Sequence, residues 1–350
     1  MNNFLSRSKV ATKVIQNVIK KTPLEYNKRL SEKYNCNLYI KREDLNQGRS
    51  FKIRGAYNKI VNLSKAIKYK GIVCASAGNH AQGVAYTCNN LKINNNIFIP
   101  EKTPLQKVNR IKYFWGDRCK INLIGKNFNE SLTYALNYAK ENNKEFIHPF
   151  NDEDVIIGQS TIGEEIYQDI NPDIIIGSIG GGCMLSGISL YCKYNKKKCD
   201  IIGVEPNTCD SMNQSIINNK LVNLEIKDNF VDGATVSQVG DLTFKICKEH
   251  LKEIHVVDVG NVCGKILDLY QDDGIIAEPA GALPFSILDE ISYKIKNKTV
   301  VCILSGGNND LTRYPEILER YYQYLGLKQY YLIEFAQTPG QLKKFINTIL

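Results

Sequence analysis

Ile174-Ile175-Ile176-Gly177-Ser178-Ile179-Gly180-Gly181-Gly182-Cys183-Met184-Leu185-Ser186-Gly187-Ile188 is the stretch whose reading settles the architecture. An apolar run, three consecutive glycines and a second apolar run read as strand, tight turn and helix. Glycines let the backbone approach an anion closely, and a helix N-terminus presents unpaired N–H groups and a positive dipole end. Gly180, Gly181, Gly182, Cys183 and Met184 therefore read as a phosphate cradle. The segment lacks the Lys-Ser/Thr ending of a nucleotide P-loop, and no Gly-x-Gly-x-x-Gly fingerprint with a following acid accompanies it. A small phosphate ester is favoured over nucleoside triphosphates and dinucleotides, and a turn that serves packing alone stays open at this point.

The pattern recurs twice. Gly71-Ile72-Val73-Cys74-Ala75 runs into Ser76-Ala77-Gly78-Asn79-His80 and then the helical Ala81 to Tyr86. Its N–H groups suit a second anion such as a substrate carboxylate, and Asn79 can hydrogen-bond a ring oxygen; Ser and Asn are also ordinary helix caps. Val300-Val301-Cys302-Ile303-Leu304 ends in Ser305-Gly306-Gly307-Asn308, where Ser305 can offer a hydroxyl to a ring nitrogen. Strand and helix alternate along the chain, which implies an α/β fold with mostly parallel sheet and helices on both faces. The three loops then line one crevice at the carboxyl ends of the strands.

Beside this cradle the chain offers Lys52, in Ser50-Phe51-Lys52-Ile53-Arg54-Gly55-Ala56. A lysine attacks a cofactor aldehyde only as the neutral amine, which partial burial or neighbouring positive charge favours. Arg54 is expected to supply the charge, and Phe51 and Ile53 the burial. A phosphorylated aldehyde beside a lysine is pyridoxal phosphate chemistry.

Through these segments the chain resembles the fold-type II pyridoxal phosphate enzymes, and within them the biosynthetic threonine dehydratases (threonine ammonia-lyases). The matching blocks are Lys41 to Leu45, Ser50 to Ala56, Ser76 to Ala85, Thr103 to Val108, His148 to Asn151, Gly203 to Pro206, Val231 to Ala234, Ala277 to Ala282 and Ser305 to Asn308, in family order. The resemblance implies that Lys52 forms the Schiff base with pyridoxal 5'-phosphate, packed by Phe51, while Asn79 contacts the phenolic oxygen. It further implies that Gly180 to Met184 bind the phosphate, Ser305 faces the pyridine nitrogen, and Ser76 to His80 bind the substrate carboxylate. A serine at the ring nitrogen makes a weaker electron sink than an aspartate, which suits elimination. The implied reaction converts L-threonine, and also L-serine, to 2-oxobutanoate or pyruvate and ammonia, with Lys52 as base at Cα, as the first step of isoleucine biosynthesis.

Serine racemases compete for the same reading. They typically carry a second serine where this chain has Ala77, which cannot transfer a proton. They also tend to carry an acid six residues beyond the Glu-Pro glutamate, where this chain has Ser211; a divalent-metal site there loses an oxygen ligand. The other departure is Cys183, where the family usually has a fourth glycine. If position 183 needed a left-handed backbone, strain of about 1 kcal/mol or more and weaker cofactor binding would follow. A catalytically weak sensor that keeps the cofactor is the alternative from another class.

A chain of 350 residues is long enough for two lobes. The resemblance places a large lobe at 1–56 and 151–326, a small lobe at 57–150 that closes over it, and an ACT-like remnant at 327–350. The 11 cysteines form no Cys-x-x-Cys pair and the chain has no secretory leader, which suits a reducing cytosol, and the 4 histidines are scattered, so no metal is expected. The net charge of +9 comes from dispersed lysines, which argues against nucleic acid, and no apolar run spans a membrane. Homo-oligomerisation, as dimer or tetramer, is expected from the resemblance.

Both termini carry readable pattern. Val10, Val14, Ile15, Val18 and Ile19 predict a docked amphipathic helix, in preference to a basic transit peptide over Met1 to Leu24. Tyr330-Tyr331-Leu332-Ile333-Glu334-Phe335-Ala336 alternates like a strand, and Pro339 to Leu342 with Phe345 and Ile346 opens a helix. The pair resembles the start of the ACT-like domain that senses isoleucine in biosynthetic threonine dehydratases. One strand and one helix cannot bury their own apolar faces, so absent or altered isoleucine inhibition is expected.

Overall fold

A computed structural model describes residues 3–349, leaving Met1, Asn2 and Leu350, at the ends of the two terminal segments read above, outside the described residues. Ten strands are present among them: β1 (Leu24–Tyr26), β2 (Asn37–Arg42), β3 (Ile72–Ala75), β4 (Asn95–Ile99), β5 (Cys119–Leu123), β6 (Glu145–Phe146), β7 (Ile174–Ser178), β8 (Asp200–Pro206), β9 (Glu253–Val257) and β10 (Thr299–Leu304). They form a six-stranded sheet in the order β1-β2-β10-β7-β8-β9 and a four-stranded sheet in the order β5-β4-β3-β6. Every pairing is parallel except that of β1 with β2.

Parallel strands covered by helices on both faces must be apolar at consecutive positions, which is what the Ile/Val runs supply. In β7, Ile174 and Ile176 enter the core on one face of the large sheet and Ile175 enters the core on the other. In β10, Val300, Cys302 and Leu304 are divided in the same way from Val301 and Ile303. The pleat thus assigns alternate residues of one run to two helix layers.

One helix, Lys52–Asn62, joins the two sheets' cores. Ala56 and Ile60 pack in the core of the small sheet, while Ile53 and Tyr57 pack with Ile156 and Ile157 of the Glu153–Asp169 helix. The expected lobe boundary between 56 and 57 falls inside this helix.

The N-terminal helix, Phe4–Gln16, docks as expected: Ile15 and the following Ile19 are buried, and Val14 and Val18 pack against the same core. Phe4, Ser8, Ala11, Thr12 and Ile15 are buried, whereas Val10 is 49% exposed. Val10 is the one exception among the five expected apolar positions, and two of the buried helix positions are polar. Ser8 Oγ lies 3.0 Å from Ser160 Oγ, and Thr12 is bonded to Glu164. Arg7 anchors the start to Glu153 at 2.6 Å and Asp154 at 2.9 Å.

The C-terminal expectation is half corrected. The helix forms at Gln341–Ile349, but residues 330–336 form no strand. A strand needs a hydrogen-bonded neighbour, and none of the described residues pairs with this segment, which leaves Leu332 94% exposed. No helix of the described residues is long and apolar enough to cross a membrane.

Candidate active site

The glycine loop leaves β7 after Ser178 and enters the Cys183–Tyr194 helix, whose N-terminus has no side-chain cap. Its first N–H groups are therefore left for a ligand or solvent. Gly182 has φ +85°, the left-handed backbone that favours glycine. A Cβ on Gly181 would come within 2.1 Å of the Phe150 ring, so only a glycine fits against that wall. Cys183 is the first helical residue and is not among the positive-φ positions, so the strain considered for a fourth-glycine replacement does not arise. Met184 buries its side chain in the core of the large sheet, so only its backbone is offered to the loop.

Lys52 opens the Lys52–Asn62 helix facing this loop. Its Nζ donates to the carbonyl of Pro149 at 3.0 Å, lies 3.9 Å from Cys183 Sγ, and sits 5.1 Å from the centroid of the Phe51 ring. No carboxylate pairs with it among the described residues. His80 and His148 flank it as neutral rings. Burial, then the Lys52 charge, pushes His80 down to about 3 and His148 down to about 4. His80 Nε2 lies 2.9 Å from the Ile147 carbonyl, and His148 Nδ1 accepts the N–H groups of Phe150 and Asn151. His80 is 3% exposed, so its ring braces the loop from behind.

Arg54 corrects the sequence reading. Two residues along a helix is about 200° of rotation, so its side chain leaves on the side opposite Lys52. It is fully buried and paired with Glu43, Glu165, Thr22 and Thr161.

The third loop closes the crevice. Ser305, 2% exposed, accepts a hydrogen bond from Ser178 Oγ at 3.3 Å, which leaves its own hydroxyl hydrogen to be donated elsewhere. The Ser305 carbonyl accepts from Phe51 N–H at 3.1 Å, tying the lysine loop to the end of β10. From β3, Ser76 Oγ accepts from Gly78 N–H at 3.2 Å, and Ala77 packs its methyl on the small sheet's core. Asn79 begins the Asn79–Asn90 helix and donates to Glu278 Oε1 at 2.8 Å, while its Oδ1 accepts from Asn308 at 2.7 Å. Lys52, Phe51, Cys183, Ser305 and the Ser76 to His80 loop are thus brought to one crevice.

Sequence reasoning left Pro149, Phe150, Glu278 and Asn308 without roles. All four lie in blocks quoted for the family resemblance, but no spacing signals that Glu278 meets Asn79. A Gly-cradled, uncapped helix N-terminus, an amine without a carboxylate partner among the described residues and a hydroxyl with a hydrogen to donate are what pyridoxal phosphate needs from a protein, so the residues present fit the cofactor.

Glu205, the glutamate of the Glu-Pro block, accepts the N–H groups of Met212 at 2.9 Å and Asn213 at 2.8 Å. Among the described residues no group of three His, Cys, Asp or Glu is arranged for a metal ion. Burial pushes the Glu205 carboxyl up to about 8 from 4.5. A raised folded value means that the stability it permits is fully present below pH 4.5 and is lost as pH rises through about 8. The loss expected from this group is on the order of 5 kcal/mol. Urea melts of Glu205→Gln should show a flatter dependence between these limits; an unchanged slope would refute the assignment.

The family model for pyridoxal-phosphate dependent enzymes matches residues 15–306. The biosynthetic L-threonine dehydratase of Staphylococcus epidermidis is 49% identical over 357 residues, covering 98% of this chain and 85% of the relative. Among solved structures, the processed form of threonine deaminase isoform 2 from Solanum lycopersicum superposes with TM-score 0.86 at 35% identity, covering 91% of this chain and 94% of that one. Maize serine racemase superposes with TM-score 0.82 at 26% identity, covering 92% and 98%. The two-sheet α/β architecture is that of fold type II.

Proposed function

The chain belongs to the family of pyridoxal-phosphate dependent enzymes, and from that premise we infer that it is a threonine ammonia-lyase acting in isoleucine biosynthesis. It converts L-threonine to 2-oxobutanoate and ammonia, and L-serine to pyruvate and ammonia. The observation that carries the reading is Lys52 Nζ, without a carboxylate partner among the described residues, facing the uncapped N-terminus of the Cys183–Tyr194 helix.

When bound, the cofactor supplies the electron sink that makes the Cα proton of the amino acid removable. The Gly180 to Met184 backbone would hold its phosphate, Asn79 its phenolic oxygen, and Ser305, by its spare hydroxyl hydrogen, its ring nitrogen. The Ser76 to His80 loop would receive the substrate carboxylate. Lys52 Nζ takes the Cα proton from one face. On the opposite face Ala77 has no hydroxyl to return one, which supports elimination over the racemisation named for the maize neighbour. The departing β-hydroxyl leaves as water, and the released enamine takes water back to give the oxo acid and ammonia.

Closure of a 57–150 lobe over the 1–56 and 151–326 lobe would shield this chemistry from water, a reading supported by the small sheet lying wholly between Ile72 and Phe146. We read residues 327–349 as part of an ACT-like element, supported by Leu342 and Ile346 on one exposed helix face. A cytoplasmic homo-oligomer completes the proposal. Purified protein with pyridoxal phosphate should show a visible band abolished by borohydride, and should deaminate L-threonine without forming D-serine from L-serine. Colourless protein, or D-serine as the main product, would overturn it.

A further inference from the structure

We propose that Glu278 is a positioning residue for Asn79, locking its amide in the orientation that leaves one N–H to be given to the cofactor's phenolic oxygen. The proposal rests on the reading of Asn79 as a cofactor contact made above. An asparagine amide is nearly symmetric in shape, so its neighbours decide which end is oxygen and which is nitrogen. Here both ends are fixed. Glu278 Oε1 accepts from Asn79 Nδ2 at 2.8 Å, while Asn308 Nδ2 donates to Asn79 Oδ1 at 2.7 Å.

Asn308 cannot turn round, because the same nitrogen also donates to the Gly48 carbonyl at 2.9 Å. Its two hydrogens are used, the Asn79 oxygen is satisfied, and a single Asn79 hydrogen is left over. Were the Asn79 amide reversed, its nitrogen would face the Asn308 nitrogen and its oxygen the Glu278 oxygen. Neither contact is a hydrogen bond once Glu278 is ionised.

Glu278 is held to this task from all sides. It lies just before the Pro279–Ser286 helix and is 6% exposed. Gly306 passes so close that a Cβ there would meet Oε1 at 2.4 Å, and one on Gly233 would lie 3.4 Å from it. The groups that face it are Asp232, which repels its charge, and Lys107, Asn79 and the backbone N–H of Asn308, which favour it. Asp232 is itself paired with Lys107 at 2.5 Å and with Arg313 at 3.8 Å. Burial, then Asp232, pushes the Glu278 carboxyl up to about 7. The acceptor that orients Asn79 therefore titrates near neutrality: ionised above, protonated and a poorer acceptor below.

The test follows the visible spectrum of the holoenzyme, not turnover alone, between about pH 6 and 8. The unsubstituted protein is expected to show a spectral transition near neutrality, and Glu278→Gln to lose it. Asn79→Ala should alter the band, and the double variant should match Asn79→Ala alone, because Glu278 acts only through Asn79. If Asn79→Ala leaves the spectrum untouched, the reading of Asn79 as a cofactor contact fails. If Asn79→Ala alters it but Glu278→Gln behaves as the parent, or the two effects add, the positioning role fails and the cofactor contact stands. Should Glu278→Gln not fold by circular dichroism, Glu278→Asp, which keeps the charge and shortens the reach, is expected to shift the band in the same direction as Asn79→Ala; a parental spectrum would overturn the proposal.

Discussion

Lys52→Ala is expected to lower L-threonine turnover by about 10⁴-fold and to remove the borohydride-sensitive visible band. The size follows from two duties converging on one nitrogen. Lys52 Nζ lies beside the glycine cradle, donating to the Pro149 carbonyl and, more weakly, to Cys183 Sγ. Neighbouring groups cannot replace it as a base. His80 is buried and His148 half-buried, and their ring nitrogens lie against the Ile147 carbonyl and the Phe150 and Asn151 N–H groups. Ala77 has no titratable group. Added methylamine, which restores a small amine in the vacated space, should recover part of the rate. Retention of more than about a tenth of the parental turnover by Lys52→Ala would show that another group removes the proton.

What the sequence disclosed and what it hid divide along contact distance. The three loops were legible because each strand-turn-helix unit is written in about ten contiguous residues, and open α/β sheets bring such loops together at the strands' carboxyl ends. Glu278 was not, because it lies 199 positions from Asn79 in the sequence and no periodicity encodes that meeting. Arg54 was misread through proximity in sequence, when helical rotation sends it to the opposite side of the helix from Lys52. On the N-terminal helix Ser8 and Thr12 escaped notice because they are buried by hydroxyl hydrogen bonds, which a hydrophobic pattern cannot register. Alternation alone suggested a strand at 330–336, but a strand exists only where a neighbour accepts its hydrogen bonds.

Arg54, turned away from Lys52, holds the helix that carries it. Its guanidinium donates to Glu43 Oε2 at 2.8 Å and Oε1 at 2.9 Å, and to Glu165 Oε1 at 2.6 Å and Oε2 at 2.8 Å. Lys41 Nζ adds a bond to Glu165 Oε2 at 2.6 Å, so two cations and two carboxylates balance in a space closed to water. Burial opposes ionisation of Glu165, yet Arg54 and Lys41 hold it below its ordinary value of 4.5. Its contribution is therefore present above that pH and lost as pH falls through the lowered value. Arg54→Met removes one cation and strands a carboxylate in the core, and the expected loss is about 3–5 kcal/mol, read from the urea midpoint of the apoprotein. Arg54→Met combined with Glu43→Gln removes the stranded charge and should recover a substantial part of that loss. If the single variant unfolds within about 1 kcal/mol of the parent, or the second substitution deepens the loss, the cluster is not what fixes the start of the Lys52–Asn62 helix.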